Sequence, residues 1–296
     1  MNEDNFLNKT TAPVKNKIFW LKNYKKSFQN YLTVSKNVVR GNFPIMLVLK
    51  NGEEIIADSI DQIALYALTE HDKKFKYSKT DDLLTIFLDR EKIIKIYGIS
   101  KSIDGIMTFN KLNPYYRLNV KNKTVIDVGG AIGDSAIFFA INEAKKIICV
   151  EPYPINFKFA EKNILENNFG EIIDLKLAAC AGKSGEIKID PNTESSMRTS
   201  LKEKDSSFSV PLITIENIMD EYNIENIVLK MDCEGCEYES IFDASERILK
   251  KIDSVVIEFH DGVKNLKNKL QDTGFHVSDI IYETKKYGYL LAIRKH

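Results

Sequence analysis

A short apolar run that ends in closely spaced glycines constrains this chain most. Residues 124–135 read Thr-Val-Ile-Asp-Val-Gly-Gly-Ala-Ile-Gly-Asp-Ser, which predicts a buried strand, a tight turn and the start of a helix. The next apolar run, Lys146 to Val150, is followed by Glu151. Glycines let a backbone approach a ligand, and a carboxylate at the tip of the second strand can accept both ribose hydroxyl protons. The two runs therefore predict a nucleotide-type cofactor site.

The positions of the glycines in the turn distinguish two classes of cofactor. Dinucleotide-binding turns follow the pattern Gly-x-Gly-x-x-Gly, whereas the glycines here are Gly129, Gly130 and Gly133. Asp127 also lies inside the strand, two positions before the first glycine. An acid there suits a ligand with a cationic amino-acid tail better than it suits a pyrophosphate. We therefore expect S-adenosyl-L-methionine as the cofactor, with Glu151 on its ribose; the alternative is that the adjacent glycines only end a strand.

The charge balance argues against a global field that would recruit nucleic acid or an anionic membrane. The 296 residues include 42 basic and 42 acidic side chains, so the formal net charge is zero. The chain begins Met-Asn-Glu-Asp-Asn, unlike a secretory signal, and no apolar run is long enough to cross a bilayer. We expect a cytoplasmic protein and no nucleic-acid partner.

The four cysteines do not suggest a disulfide framework in a chain of this length. Cys233 and Cys236 have the Cys-x-x-Cys spacing of a redox pair or of half a zinc site. A zinc ribbon needs a second such pair, which the sequence lacks. We therefore expect buried structural thiols, which behave as small apolar side chains.

Residues 1–119 are predicted to form a small α+β region. Apolar runs flank Lys50–Glu53 and Asp89–Lys92, which predicts two hairpins, and residues 59–71 predict a helix between them. Such a region would supply a substrate wall or an oligomer face, as in a homodimer. The boundary near Asn119 is inferred from the start of the glycine-turn unit, because no low-complexity linker separates the two regions.

Residues 15–34 combine an apolar stripe with a basic face. Leu21, Tyr24, Phe28 and Tyr31 recur at helical spacing, and lysines cover much of the remaining surface. We expect this amphipathic helix to dock on the fold of its own chain. The alternative is a peripheral contact with an anionic membrane.

The order of the later elements predicts an α/β fold with a mostly parallel sheet that ends in an antiparallel hairpin, over residues 120–296. This is the layout of class I, Rossmann-like methyltransferases. Residues 190–208 are long for a structureless loop and are a candidate lid. The predicted segments include strands at 172–179, 227–232 and 254–260, a helix at 238–250, and the hairpin runs 275–282 and 287–293.

Ligands of an open α/β sheet bind at the carboxyl ends of its strands, so polar residues placed there are the site candidates. Methyl transfer from a sulfonium to an alcohol needs a base for the hydroxyl proton. His260 has the ordinary pKa best suited to that task, and Asp232 is the next candidate. Expected at the cofactor are Asp127, Gly129, Gly130, Ala131, Gly133, Asp134, Ser135, Glu151, Pro152, Ala179 and Asp232; expected at the reacting hydroxyl are Asp232, Glu234, Glu258 and His260.

Four segments resemble the successive signatures of FkbM-type S-adenosylmethionine-dependent methyltransferases. They are residues 127–134, 150–152, 229–237 and 257–260, of which 229–237 (Leu-Lys-Met-Asp-Cys-Glu-Gly-Cys-Glu) is the specific one. The resemblance implies an O-methyltransferase that acts on a hydroxyl of a sugar, glycan, glycolipid or other small molecule. It also implies the roles of the matching residues: Asp127, Gly129, Gly133 and Glu151 on the cofactor, and Asp232, Glu234 and His260 towards the hydroxyl.

The chain departs from this family pattern in the turn. Gly130 and Ala131 stand where the family commonly has Ala and Asn, which removes one polar contact near the cofactor tail. Cys233 and Cys236 replace an aliphatic residue and an Ala, which favours packing over metal binding.

Each assignment has an alternative. Asp232 could cap a helix and Glu258 could pair with a lysine. Together with Glu234 and His260 they could instead hold a divalent ion that acidifies the hydroxyl, although we do not predict a required metal. The alternative functions are an RNA methyltransferase and a non-catalytic module that docks on a membrane or a partner.

Overall fold

The chain forms two compact units, residues 1–106 and residues 107–296. The boundary expected near Asn119 lies within the second unit. In that unit the ring of Tyr115 packs on Phe139, with ring centroids 5.7 Å apart. The computed structural model describes residues 20–70, 72–88, 92–101, 108–109, 113–192 and 208–294.

The first unit contains two small antiparallel sheets in its described part. The predicted hairpin around Asn51 is confirmed, since Ile45 pairs with Ala57 across it. The predicted helix is confirmed as well, and the Ser59 hydroxyl accepts from the amide of Gln62 at its start. The elements are a helical segment at 20–27, α1 (Tyr31–Arg40), β1 (Ile45–Val48), β2 (Glu54–Ala57), α2 (Ile60–Thr69), β3 (Phe75–Ser78), β4 (Leu83–Phe87) and β5 (Ile93–Tyr97).

Strands β4 and β5 confirm the second predicted hairpin, although residues 89–91 of its turn lie outside the described part. Strand β3 was not predicted. It pairs with β4 from Phe75 to Ser78 and extends the hairpin to three strands. Its alternating sequence, Phe-Lys-Tyr-Ser, is too short to be distinguished from a loop without the neighbouring strand.

The apolar stripe of residues 15–34 packs into the first unit wherever it is described. Tyr24 and Phe28 are buried in the core of this unit. The prediction of one continuous helix is wrong at 28–30. There Phe28 forms a β-bridge with Leu49, the amide of Gln29 donates to the carbonyl of Val48, and the Asn30 side chain accepts from the amide of Val48 at 3.0 Å, so residues 28–30 pair with the end of the first hairpin strand. Residues 15–19 lie outside the described part. The segment for which a membrane contact is the alternative is therefore described only in part.

The second unit is built on a seven-stranded sheet with the order β14-β15-β13-β12-β6-β7-β8. Its elements are β6 (Thr124–Val128), α3 (Asp134–Ile141), β7 (Lys146–Glu151), α4 (Pro154–Glu166), β8 (Ile173–Leu177), β9 (Ala179–Cys180), β10 (Gly185–Lys188), β11 (Ser209–Ile213), α5 (Ile215–Glu221), β12 (Ile227–Met231), α6 (Cys236–Phe242), α7 (Glu246–Leu249), β13 (Ile252–Phe259), α8 (Lys264–Asp272), β14 (Phe275–Tyr282) and β15 (Gly288–Arg294).

The pairing of these strands confirms the predicted fold class. Strands β8, β7, β6, β12 and β13 are parallel, whereas β15 runs antiparallel to both β13 and β14. The central strands are buried on both faces, which explains why their sequences are nearly continuous apolar runs. The carboxyl ends of β6, β7, β12 and β13 consequently share one edge of the sheet.

Two predicted elements are broken in the structure. The helix expected at 238–250 is two helices, because the Ser245 hydroxyl accepts from the amide of Ile248 and starts a new helix. The strand expected at 172–179 ends at Leu177. Its continuation, β9, pairs instead with β11 in a separate three-stranded sheet.

Within the described residues, every helix is too short or too polar to span a membrane. The candidate lid at 190–208 lies largely outside the described part, which omits 193–207.

Candidate active site

The glycine turn lies where β6 ends, beside the tip of β7. The amides of Gly129 and Gly130 both donate to the carbonyl of Val150, at 3.0 Å each. Gly129 has a φ of +77°, and a Cβ added there would lie 1.7 Å from the carbonyl oxygen of Asp232. Glycine is therefore required at this position, and the turn lies directly against the loop that follows β12.

The departure from the family pattern at Gly130 has a packing reason. A Cβ added at Gly130 would lie 2.1 Å from Sγ of Cys149, which is free and buried in β7. The thiol occupies the space that an alanine methyl would need. The neighbouring Ala131 adopts a left-handed conformation with φ +43°, and its amide points at Glu151.

Glu151 lies at the tip of β7, as predicted, and is buried. Its Oε2 accepts from the amide of Ala131 at 2.9 Å, and its Oε1 accepts from the amide of Tyr153 at 3.0 Å and from Nδ2 of Asn156 at 3.3 Å. Burial raises the pKa of Glu151 to about 7, although these hydrogen bonds lower it. Pro152 lies in the short link between β7 and α4, and Ile155 is the second residue of that helix.

The side-chain oxygen of Asn156 is a buried acceptor beside the carboxylate of Glu151. Asn156 is 1% exposed, and its Oδ1 has no hydrogen-bond partner among the described residues. An unpaired buried oxygen is costly, so a ligand hydroxyl placed against Glu151 and Asn156 would satisfy it. The ribose of an adenosine cofactor carries two adjacent hydroxyls and fits this pair of acceptors.

Asp127 is buried beside a lysine. Nζ of Lys230 lies 3.0 Å from Oδ1 of Asp127, and the Ser135 hydroxyl donates to Oδ2 at 2.6 Å. Lys230 also donates to the carbonyl of Gly129 at 2.7 Å. Burial lowers the pKa of Lys230, but the charges of Asp127 and Asp232 raise it, and the net shift is upward. The carboxylate of Asp127 thus orders the turn through Lys230 and Ser135.

Asp134 begins α3 directly after the turn. The hydroxyl of Thr108 donates to its Oδ2 at 2.6 Å, and burial raises the pKa of Asp134 to about 6. The carboxyl group also lies at a helix N-terminus, where a negative charge is favoured.

His260 follows β13 and is held by a buried glutamate. Nδ1 of His260 lies 2.9 Å from Oε1 of Glu237, which also accepts from the backbone amide of His260 at 3.2 Å. Oε2 of Glu237 accepts from the amide of Gly235 at 2.8 Å. Burial lowers the pKa of His260, but Glu237 and then Glu234 raise it, so the net shift is upward. Glu237 fixes the orientation of the ring.

Three of the residues predicted at the hydroxyl converge. Asp232, Glu234 and His260 each offer one ligand atom, and these atoms all lie within 4.8 Å of one another. Nε2 of His260 is buried and makes no hydrogen bond to any described residue; it lies 3.4 Å from Oε2 of Glu234. Glu234 has a φ of +57°, an uncommon conformation for a residue with a Cβ, and such strain is concentrated at functional sites.

The fourth predicted residue, Glu258, lies beside this group. Its Oε1 is 4.0 Å from Nε2 of His260 and is contacted by the hydroxyl of Tyr287. The side chain is nearly buried in the penultimate position of β13. Burial and the neighbouring Glu258 raise the pKa of Tyr287, so the phenol keeps its proton and donates it to the carboxylate.

The expectation of free thiols at positions 233 and 236 is wrong. Cys233 and Cys236 form a disulfide across the two residues between them, which include the strained Glu234. The expectation holds for Cys149 and Cys180, which are free and buried. The Cα atoms of Cys233 and Cys236 are brought within 5.5 Å by the turn at Gly235, which composition alone did not predict.

The residues of this sheet edge lie within a region that matches a known family. The model of the methyltransferase FkbM domain matches residues 127–291, more than half of the chain. This chain belongs to the FkbM methyltransferase family. Membership confirms the family and the enzyme class predicted from the sequence, and it is consistent with S-adenosylmethionine as the cofactor. A comparison with curated protein sequences finds no match.

Solved structures similar to the chain include a methylase, a putative methyltransferase and a protein in complex with S-adenosyl-homocysteine. A ribosomal protein L11 methylase from Lactobacillus delbrueckii subsp. bulgaricus is 16% identical, with a TM-score of 0.38 over 67% of this chain and 78% of that one. A putative tRNA (m1A22) methyltransferase from Streptococcus pneumoniae, in complex with S-adenosyl-L-methionine, is 14% identical, with a TM-score of 0.42 over 65% and 72%. TrmK from M. capricolum is 18% identical, with a TM-score of 0.39 over 60% of this chain and 64% of that one. Because the identities and TM-scores are low, no statement about substrate rests on these likenesses.

Two residues of the FkbM domain were missed as site residues although they lie inside its specific signature. Lys230 is a single lysine in an apolar strand, and a buried lysine requires an anionic partner, so a signal existed. Glu237 gave no such signal, because its partner His260 is 23 residues away. Of the other predicted residues, Ala179 is buried in β9, where it pairs with Leu212.

Proposed function

We propose that this FkbM methyltransferase uses S-adenosylmethionine to methylate a hydroxyl of a small molecule, with a sugar, glycan or glycolipid as the acceptor class. One observation carries the proposal: the half-buried imidazole of His260 faces Asp232 and Glu234 at the sheet edge where the glycine turn lies. A group that takes up a proton is thus adjacent to a turn suited to the cofactor.

Glu151 and Asn156 would hold the ribose of the cofactor through their acceptor oxygens, one of which, Oδ1 of Asn156, makes no hydrogen bond within the described ranges. Asp127 stays a predicted cofactor residue; with its oxygens engaged by Lys230 and Ser135, it would act by ordering the turn. When bound, the cofactor supplies an electrophilic methyl group on a sulfonium.

The acceptor hydroxyl would bind at Asp232, Glu234 and His260. These groups would also take up the positive charge of its proton. As the hydroxyl oxygen bonds to the methyl carbon, the electron pair of the carbon–sulfur bond stays on sulfur. One proton is released for each methyl transferred, and it leaves towards this cluster. The half-buried position of the two carboxylates limits competition from water.

The charge of the cluster supports a neutral hydroxyl compound as the acceptor. Asp232, Glu234, Glu237 and Glu258 surround one imidazole. Carboxylates accept hydrogen bonds from sugar hydroxyls, whereas they repel the phosphates of a nucleic acid. The zero formal net charge of the chain offers no compensating attraction.

A methyl-transfer assay with radiolabelled S-adenosylmethionine tests the proposal. Neutral glycans, glycolipids and total RNA are offered as separate acceptors, and S-adenosylhomocysteine binding is measured by calorimetry. We expect label in a base-stable ether on a glycan or glycolipid. Label in RNA alone, or no binding of S-adenosylhomocysteine at millimolar concentration, would contradict the proposal.

His260→Ala and His276→Ala form a matched pair for this assay, since His276 lies exposed in β14. Loss of the imidazole at 260 should lower kcat by about 100-fold or more, because proton removal contributes that much to such reactions. The variant at 276 should keep the wild-type rate, and both should bind S-adenosylhomocysteine.

A further inference from the structure

We infer that Asp232, Glu234 and His260 form a binding site for one divalent cation. Binding of the ion is independent of the proposed function, whereas its role in activating the acceptor hydroxyl rests on that function. In the ion-bound state Nε2 of His260 is a metal ligand and not the proton acceptor of the proposed function, and the His260→Ala variant loses activity in either case.

The spacing of the ligand atoms fits a single ion. One nitrogen and two carboxylate oxygens lie within 4.8 Å of one another. Ligands bound at the usual distances from one transition-metal or alkaline-earth ion are at most about 4 to 5 Å apart. The side chains of Asp232 and Glu234 are half-buried, so positions remain open for a water or a hydroxyl.

The imidazole is held in the tautomer that a metal requires. The Glu237 carboxylate, which is completely buried, accepts from Nδ1 at 2.9 Å, and it already accepts from two backbone amides. Nδ1 therefore carries the hydrogen, and Nε2 presents a lone pair. A carboxylate that orients a ligating histidine through its second nitrogen is a recurrent feature of metal sites.

The lone pair of Nε2 has no hydrogen-bond partner in the part of the chain that the structure describes. The atom is buried and makes no hydrogen bond, although Oε2 of Glu234 is 3.4 Å away and Oε1 of Glu258 is 4.0 Å away. These oxygens are also acceptors, so three electron-rich atoms face one another when the imidazole is neutral. Either a proton on Nε2 or a metal cation between the three atoms removes this repulsion.

The loop that carries Glu234 is restrained on both sides. The Cys233–Cys236 disulfide closes it, and the amide of Gly235 is bound by Glu237. Glu237 therefore holds both the imidazole and the loop, and it fixes two of the three ligands relative to each other. A mixed set of one nitrogen and two carboxylate oxygens suits Mn²⁺, Mg²⁺ or Zn²⁺, and Mn²⁺ is the most convenient probe.

Titration of the full chain with Mn²⁺ alone, after treatment with a chelator, tests the site by calorimetry. We expect one Mn²⁺ per chain. Asp232→Asn and Glu234→Gln should each weaken binding by at least about tenfold, and Glu237→Gln by about 10- to 100-fold, since outer residues that orient ligands have effects of that size. Unfolding curves and S-adenosylhomocysteine binding show that each variant is folded.

Asp261→Asn is the matched control. Asp261 follows His260 directly but pairs with Lys286 at the surface, so its removal should leave Mn²⁺ affinity unchanged. Absence of Mn²⁺ binding, or binding that the three cluster variants and the control alter equally, would overturn the inference.

Methyl transfer measured on the same samples separates the two proposals. If the chelated enzyme methylates its acceptor at the full rate and binds no Mn²⁺, the metal site is wrong and the proposed function stands. If Mn²⁺ binds as expected and no hydroxyl compound is methylated, the metal site stands and the proposed function is wrong.

Discussion

Strand β6, which leads into the glycine turn, and helix α6, which follows the loop after β12, each carry a completely buried carboxylate, but the charges of the two carboxylates are balanced differently. Asp127 faces Lys230, so a positive charge inside the protein neutralises it. Glu237 is held by N–H groups and by the imidazole of His260. Oδ1 of Asp127 and Nε2 of His260 both lack a hydrogen-bond partner among the described residues, but Asp127 has the cation of Lys230 beside it, whereas His260 has carboxylates around it. The first carboxylate is therefore neutralised within the protein, and the second group leaves a negative charge that a ligand can balance.

Lys230→Met should have the largest effect on the stability of the protein. The substitution keeps the length of the side chain and leaves Asp127 buried without its cation, which should lower the free energy of unfolding by about 3–5 kcal/mol. Urea unfolding measures the change. Lys121→Met is the control, because Lys121 pairs with Glu143 at the surface and its loss should cost about 1 kcal/mol or less.

The double variant Asp127→Asn/Lys230→Met sharpens this prediction. Removing both charges should recover part of the stability lost in the single variant, since no isolated charge remains buried. If Lys230→Met and Lys121→Met cost the same, the account of the turn as an internally balanced pair is wrong.

Gly129→Ala should have the next largest effect. Its Cβ would overlap the carbonyl of Asp232, and its left-handed conformation disfavours alanine, so we expect a loss of about 3 kcal/mol and weaker S-adenosylhomocysteine binding. Gly41→Ala isolates the conformational part, because Gly41 has a φ of +67° and no atom close to an added Cβ. Equal losses in the two variants would show that the close contact with Asp232 is absent.

Removal of the disulfide should have a smaller effect, confined to the loop. The variant Cys233→Ala/Cys236→Ala should lose about 2 kcal/mol of unfolding free energy, the size expected for a short closed loop. S-adenosylhomocysteine affinity should stay unchanged, because the turn does not depend on the disulfide. A reductant should destabilise the wild type and leave the variant unaffected; the same response in both would contradict the prediction.

The pH dependence of cofactor binding should be the smallest effect. The pKa of Glu151 is raised from 4.5 to about 7 in the folded protein, so the folded state binds more protons than the unfolded chain between these values. The contribution of Glu151 to stability therefore falls as the pH rises through this window. Binding of ribose hydroxyls favours the ionised form, so S-adenosylhomocysteine affinity should rise about tenfold from pH 6 to pH 8.

Glu151→Gln is the variant that isolates this effect. It should abolish the difference in affinity between the two pH values and remove the corresponding fall in stability. A pH dependence that persists in the variant would assign the titration to another group, such as Asp134.

The sequence predicted what depends on local pattern. The glycine turn, Glu151 and the strand ends at Asp232 and His260 followed from apolar runs and the residues that close them. The pairing of Lys230 with Asp127 did not, because it depends on β12 lying next to β6 in the sheet, across about a hundred residues of sequence. The interrupted helix at Ser245 and the Cys233–Cys236 disulfide were missed for the opposite reason: each is set by local geometry that outweighs composition.

The contact between the backbone of Gly129 and that of Asp232 limits how such an enzyme can diversify. The amide of Asp232 donates to the carbonyl of Val128 at 3.0 Å, and its own carbonyl lies against the glycine. Under the proposed function, a mutation that shifts this stretch of main chain would disturb the cofactor and the acceptor together. Side-chain replacements downstream of Asp232 leave the contact in place, whereas an insertion or a deletion at that point would move the main chain against Gly129.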